Sequence, residues 1–179
     1  GHLNIVRAVC FSLDGTRAIT GSADETAKIW DLATSTCLLT LEGHTGYVNS
    51  VCVADSATVL TASRDHTVKI WRLDTGECVG TLKGHTQEVC GLKWSPSGTQ
   101  LASGGNDNLL NIWDDRYTSM ANATCDTSLH RLDAHQAAVK ALAWCPWQRN
   151  LLASGGGTAD RCIRFWNTQT ASPLNCVDT

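Results

Sequence analysis

The sequence predicts an all-β fold assembled from four copies of one small antiparallel sheet, and three observations lead to it. Gly-His recurs at Gly1-His2, Gly43-His44 and Gly84-His85, with a variant, Ala134-His135, in the fourth place. Each is followed by a Trp between an apolar and a polar residue: Trp30 and Trp113 in Ile-Trp-Asp, Trp71 in Ile-Trp-Arg, Trp166 in Phe-Trp-Asn. An Asp stands six residues before each Trp, at Asp24, Asp65, Asp107 and Asp160, and a hydroxyl residue precedes each Asp, at Thr20, Thr61, Ser103 and Ser154. A period of about 40 residues marks one supersecondary unit that buries its apolar faces only against neighbouring copies.

Within each period, runs rich in Val, Ile, Leu and Thr alternate with Asp-Gly, Ser-Gly, Thr-Gly and Gly-Gly, which reads as short strands and tight turns. The first repeat gives strands near Val6–Ser12, Arg17–Gly21, Ala27–Asp31 and Cys37–Leu41. The second gives Val48–Val53, Val59–Ala62, Val68–Arg72 and Cys78–Leu82. No window carries a helical period. Four strands per repeat with Gly-His and Trp-Asp marks match the blade of a β-propeller. Over its whole length the chain resembles the WD-repeat proteins, with repeats at 1–42, 43–83, 84–133 and 134–179. Propellers close with about four to eight blades, and the resemblance implies a ring of about seven. The expectation is therefore an incomplete arc, its two apolar end faces covered by missing blades or by a second copy.

The composition narrows the function. The chain has 179 residues, 42% hydrophobic and 17% charged, with a formal net charge of −3. That is enough apolar residue for a core and no electrostatic footprint for nucleic acid or an anionic membrane. No apolar run is long enough to span a bilayer, and no signal peptide is legible. The chain opens on Gly1 without an initiator Met, which suggests an internal piece of a longer protein. Nine cysteines without a Cys-x-x-Cys pair give no zinc or dithiol motif. Cys10, Cys52 and Cys90, each following a Gly-His at a similar interval, read as small buried hydrophobes. No metal or cofactor is expected, and a reducing compartment, nucleus or cytoplasm, suits free thiols.

The His, Ser/Thr, Asp and Trp of each repeat resemble a catalytic triad only in composition. An enzyme needs one activated nucleophile in one cleft, and this quartet recurs four times. His2, His44, His85 and His135 are therefore expected to hold their blades together through the Asp, hydroxyl and indole of the same repeat. Specificity lies in the loops. The Gly-His loop and the Asp turn share one end of each blade, so the exposed candidates there are Arg7, Tyr47, Asn49, Arg64, Glu88, Asn106, Lys140 and Thr158. Two connections are long: Asp114–Ser128, at the opposite end, reads as a variable loop, and Gly155–Asp160 carries three glycines. No Gly-Lys-Ser/Thr follows the latter, so it is not a phosphate loop.

A narrower resemblance lies in the second half. Gln87–Ser95, Leu101–Asn108, Ala138–Ala141 and above all Gly155–Asn167 resemble the Fizzy and Fizzy-related activators of the anaphase-promoting complex. That resemblance implies a non-catalytic adaptor that binds the ubiquitin ligase and captures degron peptides, including a Lys-Glu-Asn box, on the propeller face. It assigns peptide contact to Asn106 and Thr158, although Asn106 could instead cap its own turn. The resemblance covers Gln87 to Thr179. His2 to Lys83 reads as generic repeat, as in a divergent relative or a fusion near Lys83–Gln87. A general WD-repeat scaffold with an unrelated partner is the alternative, and a propeller enzyme would need a unique titratable cluster that is not seen.

Overall fold

The computed structural model describes residues 1–116 and 123–179. Among them, seventeen strands form four sheets. Blade 1 is β1 (Val6–Phe11), β2 (Arg17–Ser22), β3 (Ala27–Asp31) and β4 (Thr36–Leu41). Blade 2 is β5 (Val48–Val53), β6 (Thr58–Ser63), β7 (Val68–Arg72) and β8 (Cys78–Leu82). Blade 3 is β9 (Val89–Trp94), β10 (Gln100–Gly105) and β11 (Leu110–Asp114); β12 (Ala123–Cys125) then departs to blade 2, and β13 (His130–Leu132) completes the sheet. Blade 4 is β14 (Val139–Trp144), β15 (Leu151–Gly156), β16 (Cys162–Asn167) and β17 (Ser172–Asp178). The eight strands expected for the first two repeats are present within one or two residues.

The innermost strands pack side by side, β1 on β5, β5 on β9 and β9 on β14. Successive side chains of a strand point to opposite faces, so each blade feeds two interfaces. Ile19, Ile29 and Leu41 of blade 1 meet Val51, Val59 and Trp71 of blade 2. Leu60, Ile70 and Leu82 then meet Leu92, Leu101 and Trp113, and Ala102, Leu110 and Ile112 meet Leu142, Leu152 and Trp166. Each fully buried aliphatic or aromatic side chain contributes about 1.5–3 kcal/mol. The repeat Trp always faces the preceding blade. Trp71 and Trp113 are 1% exposed and Trp166 2%, whereas Trp30, in the first of the described blades, is only half-buried. Val9 and Phe11 at that end, and Ile163 and Val177 at the other, are exposed. The four blades form an open arc.

One blade departs from the expected four strands. The Asp114–Ser128 connection is more than a loop, because β12 runs parallel to β8 and pairs Ala123 to Cys125 with Gly80 to Leu82. The Lys83 amide donates to the Cys125 carbonyl at 2.8 Å, and Cys125 packs on the core between blades 2 and 3. The outer edge of β8 presents unpaired backbone groups, and this connection is long enough to reach back and satisfy some of them. Tyr117 and Asn122 of the same connection lie outside the described residues.

A β-bulge recurs at one place in every blade. The register between the first two strands skips Arg7 in β1, Asn49 in β5, Cys90 in β9 and Lys140 in β14. A bulge leaves one residue out of the ladder and re-aims its side chain. These four bulges determine the site.

Candidate functional site

The four polar quartets share one geometry. In blade 2 the Trp71 indole N–H donates to Thr61 Oγ1 at 2.7 Å, and that hydroxyl lies 2.7 Å from His44 Nε2. The Asp65 carboxylate can only accept, so His44 Nδ1 carries a proton and donates to its Oδ2 at 2.7 Å. The ring's Nε2 is then the acceptor for the Thr61 hydroxyl, which itself accepts from the indole. The Thr45 amide donates to the same Asp65 oxygen at 3.1 Å. His2, Thr20, Asp24 and Trp30 repeat the pattern. So do His85, Ser103, Asp107 and Trp113, and His135, Ser154, Asp160 and Trp166. Burial alone would raise the Asp65 carboxyl, but hydrogen bonds from His44 and Thr67 outweigh it and hold it well below the usual carboxylate range. Asp24, Asp107 and Asp160 are also held low against their burial, by hydrogen bonds from Thr26, His85 and His135 respectively. Every hydroxyl is spent on its own Trp and His, so none is an exposed nucleophile.

The same aspartates shape the turns. Asp24 and Asp65 each accept the amide two residues on, from Thr26 and Thr67. The residue after each repeat Asp, namely Glu25, His66, Asn108 or Arg161, has φ between 48° and 71°. That left-handed conformation is uncommon for a side-chain-bearing residue, and the Asp cap supports it. The turn thereby presents the residue before the Asp, such as Arg64 or Asn106, at the blade rim.

The four bulged residues converge. Arg7, Asn49, Cys90 and Lys140, together with Glu88 and Asn106, line one cavity of about 200 Å³ at this end of the arc. Glu88 stands at its centre: Asn49 Nδ2 donates to Oε1 at 2.7 Å and Asn106 Nδ2 donates to Oε2 at 3.1 Å. Asn49 Nδ2 also donates to the Val89 carbonyl at 3.1 Å, which fixes its amide and leaves its buried Oδ1 without a partner among the described residues. The Asn106 amide donates to the Glu88 carbonyl at 2.8 Å, so backbone and side chain both tie it to Glu88. Its side chain does not cap its own turn. Asn106 Oδ1 instead accepts from the Cys90 thiol at 3.1 Å.

Of the eight face candidates, five line this cavity: Arg7, Asn49, Glu88, Asn106 and Lys140. Tyr47 and Arg64 lie next to it. The guanidinium carbon of Arg7 is 5.7 Å from the Tyr47 ring centroid, and that of Arg64 is 5.1 Å away. Thr158 is exposed in its turn and lies outside the cavity lining.

Cys90 is the residue that sequence reading misplaced. It was grouped with Cys10 and Cys52, yet those follow their His by eight residues and Cys90 by five. Cys10 is half-buried and packs against the core between blades 1 and 2; burial first, then the neighbouring Cys52 thiol, pushes it up to about 12. Cys90 occupies the bulge instead, and counting from its His would have shown this. Among the described residues, no group of three or more His, Cys, Asp or Glu could hold a metal ion.

The comparisons with known proteins agree with the repeat fold. The family model "WD domain, G-beta repeat" matches residues 1–31, 35–72, 76–114 and 126–167. The chain is 45% identical over 175 residues to "Cell division cycle 20.1, cofactor of APC complex" of Arabidopsis thaliana, covering 97% of this chain and 38% of that protein. It is 44% identical to "Anaphase-promoting complex subunit cdc20" of Dictyostelium discoideum, over 97% of this chain and 34% of that one. It is 46% identical to "Protein FIZZY-RELATED 1" of Arabidopsis thaliana, over 99% and 36%. A chain of the "Crystal Structure of Mitotic Checkpoint Complex" superposes with a TM-score of 0.90 at 39% identity, over 99% of this chain and 52% of that one.

The chain therefore spans less than half the length of these curated relatives. The likeness also runs through His2 to Lys83, which corrects the expectation that only the second half carries it. The marks legible in the first two blades are those of any blade, so short strings there carry no family signature while the full-length alignment does. With one family model matching all four repeats, the chain belongs to the WD-domain, G-beta repeat family.

Proposed function

We propose that this chain is the degron-reading part of a substrate-recognition adaptor for the anaphase-promoting complex, and that it takes a Lys-Glu-Asn peptide over the bulge-lined cavity. The observation that carries the proposal is the pre-set Glu88 carboxylate, held between the Asn49 and Asn106 amides with Arg7 and Lys140 on the same wall. The chemistry is complementary in each part. Glu88 offers a carboxylate to the peptide lysine, Lys140 offers a cation to the peptide glutamate, and the second Asn106 N–H is left for the peptide asparagine. Holding these groups on strand bulges and capped turns lowers the ordering cost of binding.

The names of the relatives support the ligase assignment. In this reading the exposed end faces receive further blades, the ligase subunits dock elsewhere on the completed ring, and the protein works in the nucleus or cytoplasm. A double-mutant cycle tests it. In the full-length protein, Glu88→Gln should weaken a Lys-Glu-Asn peptide several-fold but barely affect a Met-Glu-Asn peptide. Equal loss with both peptides would remove Glu88 from the lysine contact.

A further inference from the structure

Arg7, Tyr47 and Arg64 form a second polar feature beside the cavity that the peptide box does not use up. Arg7 and Arg64 come from different blades, yet both guanidinium groups lie against the Tyr47 ring, at 5.7 and 5.1 Å. Both arginines are exposed, and among the described residues neither has a carboxylate within ion-pairing distance. Three of the other arginines are spent locally: Arg17 donates to the Leu73 carbonyl, Arg116 pairs with Asp114, and Arg164 lies by Asp160. The nearest acid in the cavity, Glu88, is already engaged by two amides. Two like charges are thus drawn to one aromatic ring with no counter-charge within ion-pairing distance among the described residues.

The arrangement is also rigid. The Arg64 amide donates to the Tyr47 carbonyl at 2.9 Å, and Arg7 sits in the β1 bulge. Guanidinium groups present forked donors that match carboxylate or phosphate oxygens, and aromatic and arginine side chains are the types that dominate binding surfaces. Arg7 lines the cavity and also contacts Tyr47, so a peptide leaving the cavity past Arg7 next meets Tyr47 and Arg64.

We propose that Arg7, Tyr47 and Arg64 form an anion subsite that grips a carboxylate or phosphate on the residues flanking the bound box, so that this chain prefers degrons with acidic or phosphorylated neighbours. The proposal rests on the peptide-binding reading above. It commits to the anion, and the two sources of that anion are separated by experiment.

The test titrates the full-length protein with four labelled peptides: a Lys-Glu-Asn box with neutral flanks, with aspartate flanks, with phosphoserine flanks and with lysine flanks. Aspartate or phosphoserine flanks should tighten binding about tenfold over neutral ones, the size of two charge-assisted contacts at a partly exposed site. A larger gain from phosphoserine identifies phosphate as the anion, and equal gains identify carboxylate. Arg64→Gln should remove most of the gain and leave the neutral-flank affinity unchanged, and Arg64→Glu should turn the preference toward lysine flanks. Equal binding of neutral and acidic peptides that both still depend on Asn106 would overturn the subsite alone. Failure of every box peptide to bind would overturn the peptide-binding reading and the subsite with it.

Discussion

Thr61→Val replaces a hydroxyl by a methyl of nearly the same shape at a fully buried position. Packing in the blade 2 interface is preserved, so the change isolates the polar set. The lost Oγ1 is the acceptor of the Trp71 indole N–H and the donor to His44 Nε2, each at 2.7 Å. Trp71 is 1% exposed and His44 6%, so neither group finds water without opening the blade. A buried polar group left unpaired costs about 1–3 kcal/mol. Two are left here, partly offset because the hydroxyl no longer has to be buried, which gives a loss of about 2–4 kcal/mol. Thr61→Ser keeps the hydroxyl and removes one methyl, for about 1 kcal/mol. Urea unfolding of the full-length protein, with midpoints and slopes compared across the three proteins, reads the difference. A Val variant within about 0.5 kcal/mol of wild type, or a Ser variant as unstable as the Val variant, would refute the argument that the shared hydroxyl holds the blade.

Other predictions test other links. The repeat aspartates are held below their ordinary range, so their contribution is complete above about pH 4 and drains as pH falls toward the depressed values; urea midpoints should therefore fall steeply below about pH 4, and midpoints flat down to about pH 2.5 would contradict this. Gly104→Ala would drive a Cβ into the Val139 carbonyl across the blade 3–4 interface, and a loss of about 1–3 kcal/mol is expected by thermal or urea unfolding. Cys90→Ala removes the donor to Asn106 Oδ1 and should weaken a Lys-Glu-Asn peptide several-fold in a binding titration, while Cys90→Ser largely restores it. Cys10→Ala, at a thiol away from the cavity lining, should leave that affinity unchanged.

Most of the fold was legible because each blade repeats the same physical solution. His, hydroxyl, Asp and Trp must occur at fixed spacing to satisfy one another, and the apolar alternation must serve two interfaces. Both constraints are local, so Thr61, Asp65 and Trp71 announce their blade without reference to the others. The strand β12 was not legible, since three residues carry no alternation and their pairing with β8 depends on a reach between blades. The site was half legible. Turn and loop positions identified Arg7, Asn49, Glu88, Asn106 and Lys140 as rim residues. What joined them was a bulge, which shifts register by one residue and whose only sequence mark is a constant distance of five residues from each repeat His. Cys90 was missed because its distance from His85 was not told apart from that of Cys10 and Cys52 from theirs: in a regular strand its side chain would take an ordinary place in the alternation, and in the bulge it bonds Asn106. Thr158 was named both from its place in the turn before the repeat Asp and from the resemblance, and it lies outside the cavity lining that gathers five of the eight candidates.

The central claim is that the bulge-lined cavity reads a short peptide through groups held ready by Glu88. The most direct measurement is an isothermal titration of a Lys-Glu-Asn peptide into the full-length wild-type protein and its Asn106→Ala variant, with an Ala-Ala-Ala peptide as control. Asn106 belongs to no quartet, so the variant should unfold at an unchanged urea midpoint. The account predicts specific binding to wild type, weakened by about 1–3 kcal/mol in the variant. Equal affinity in the two proteins, or no discrimination between the box and its alanine control, would contradict it.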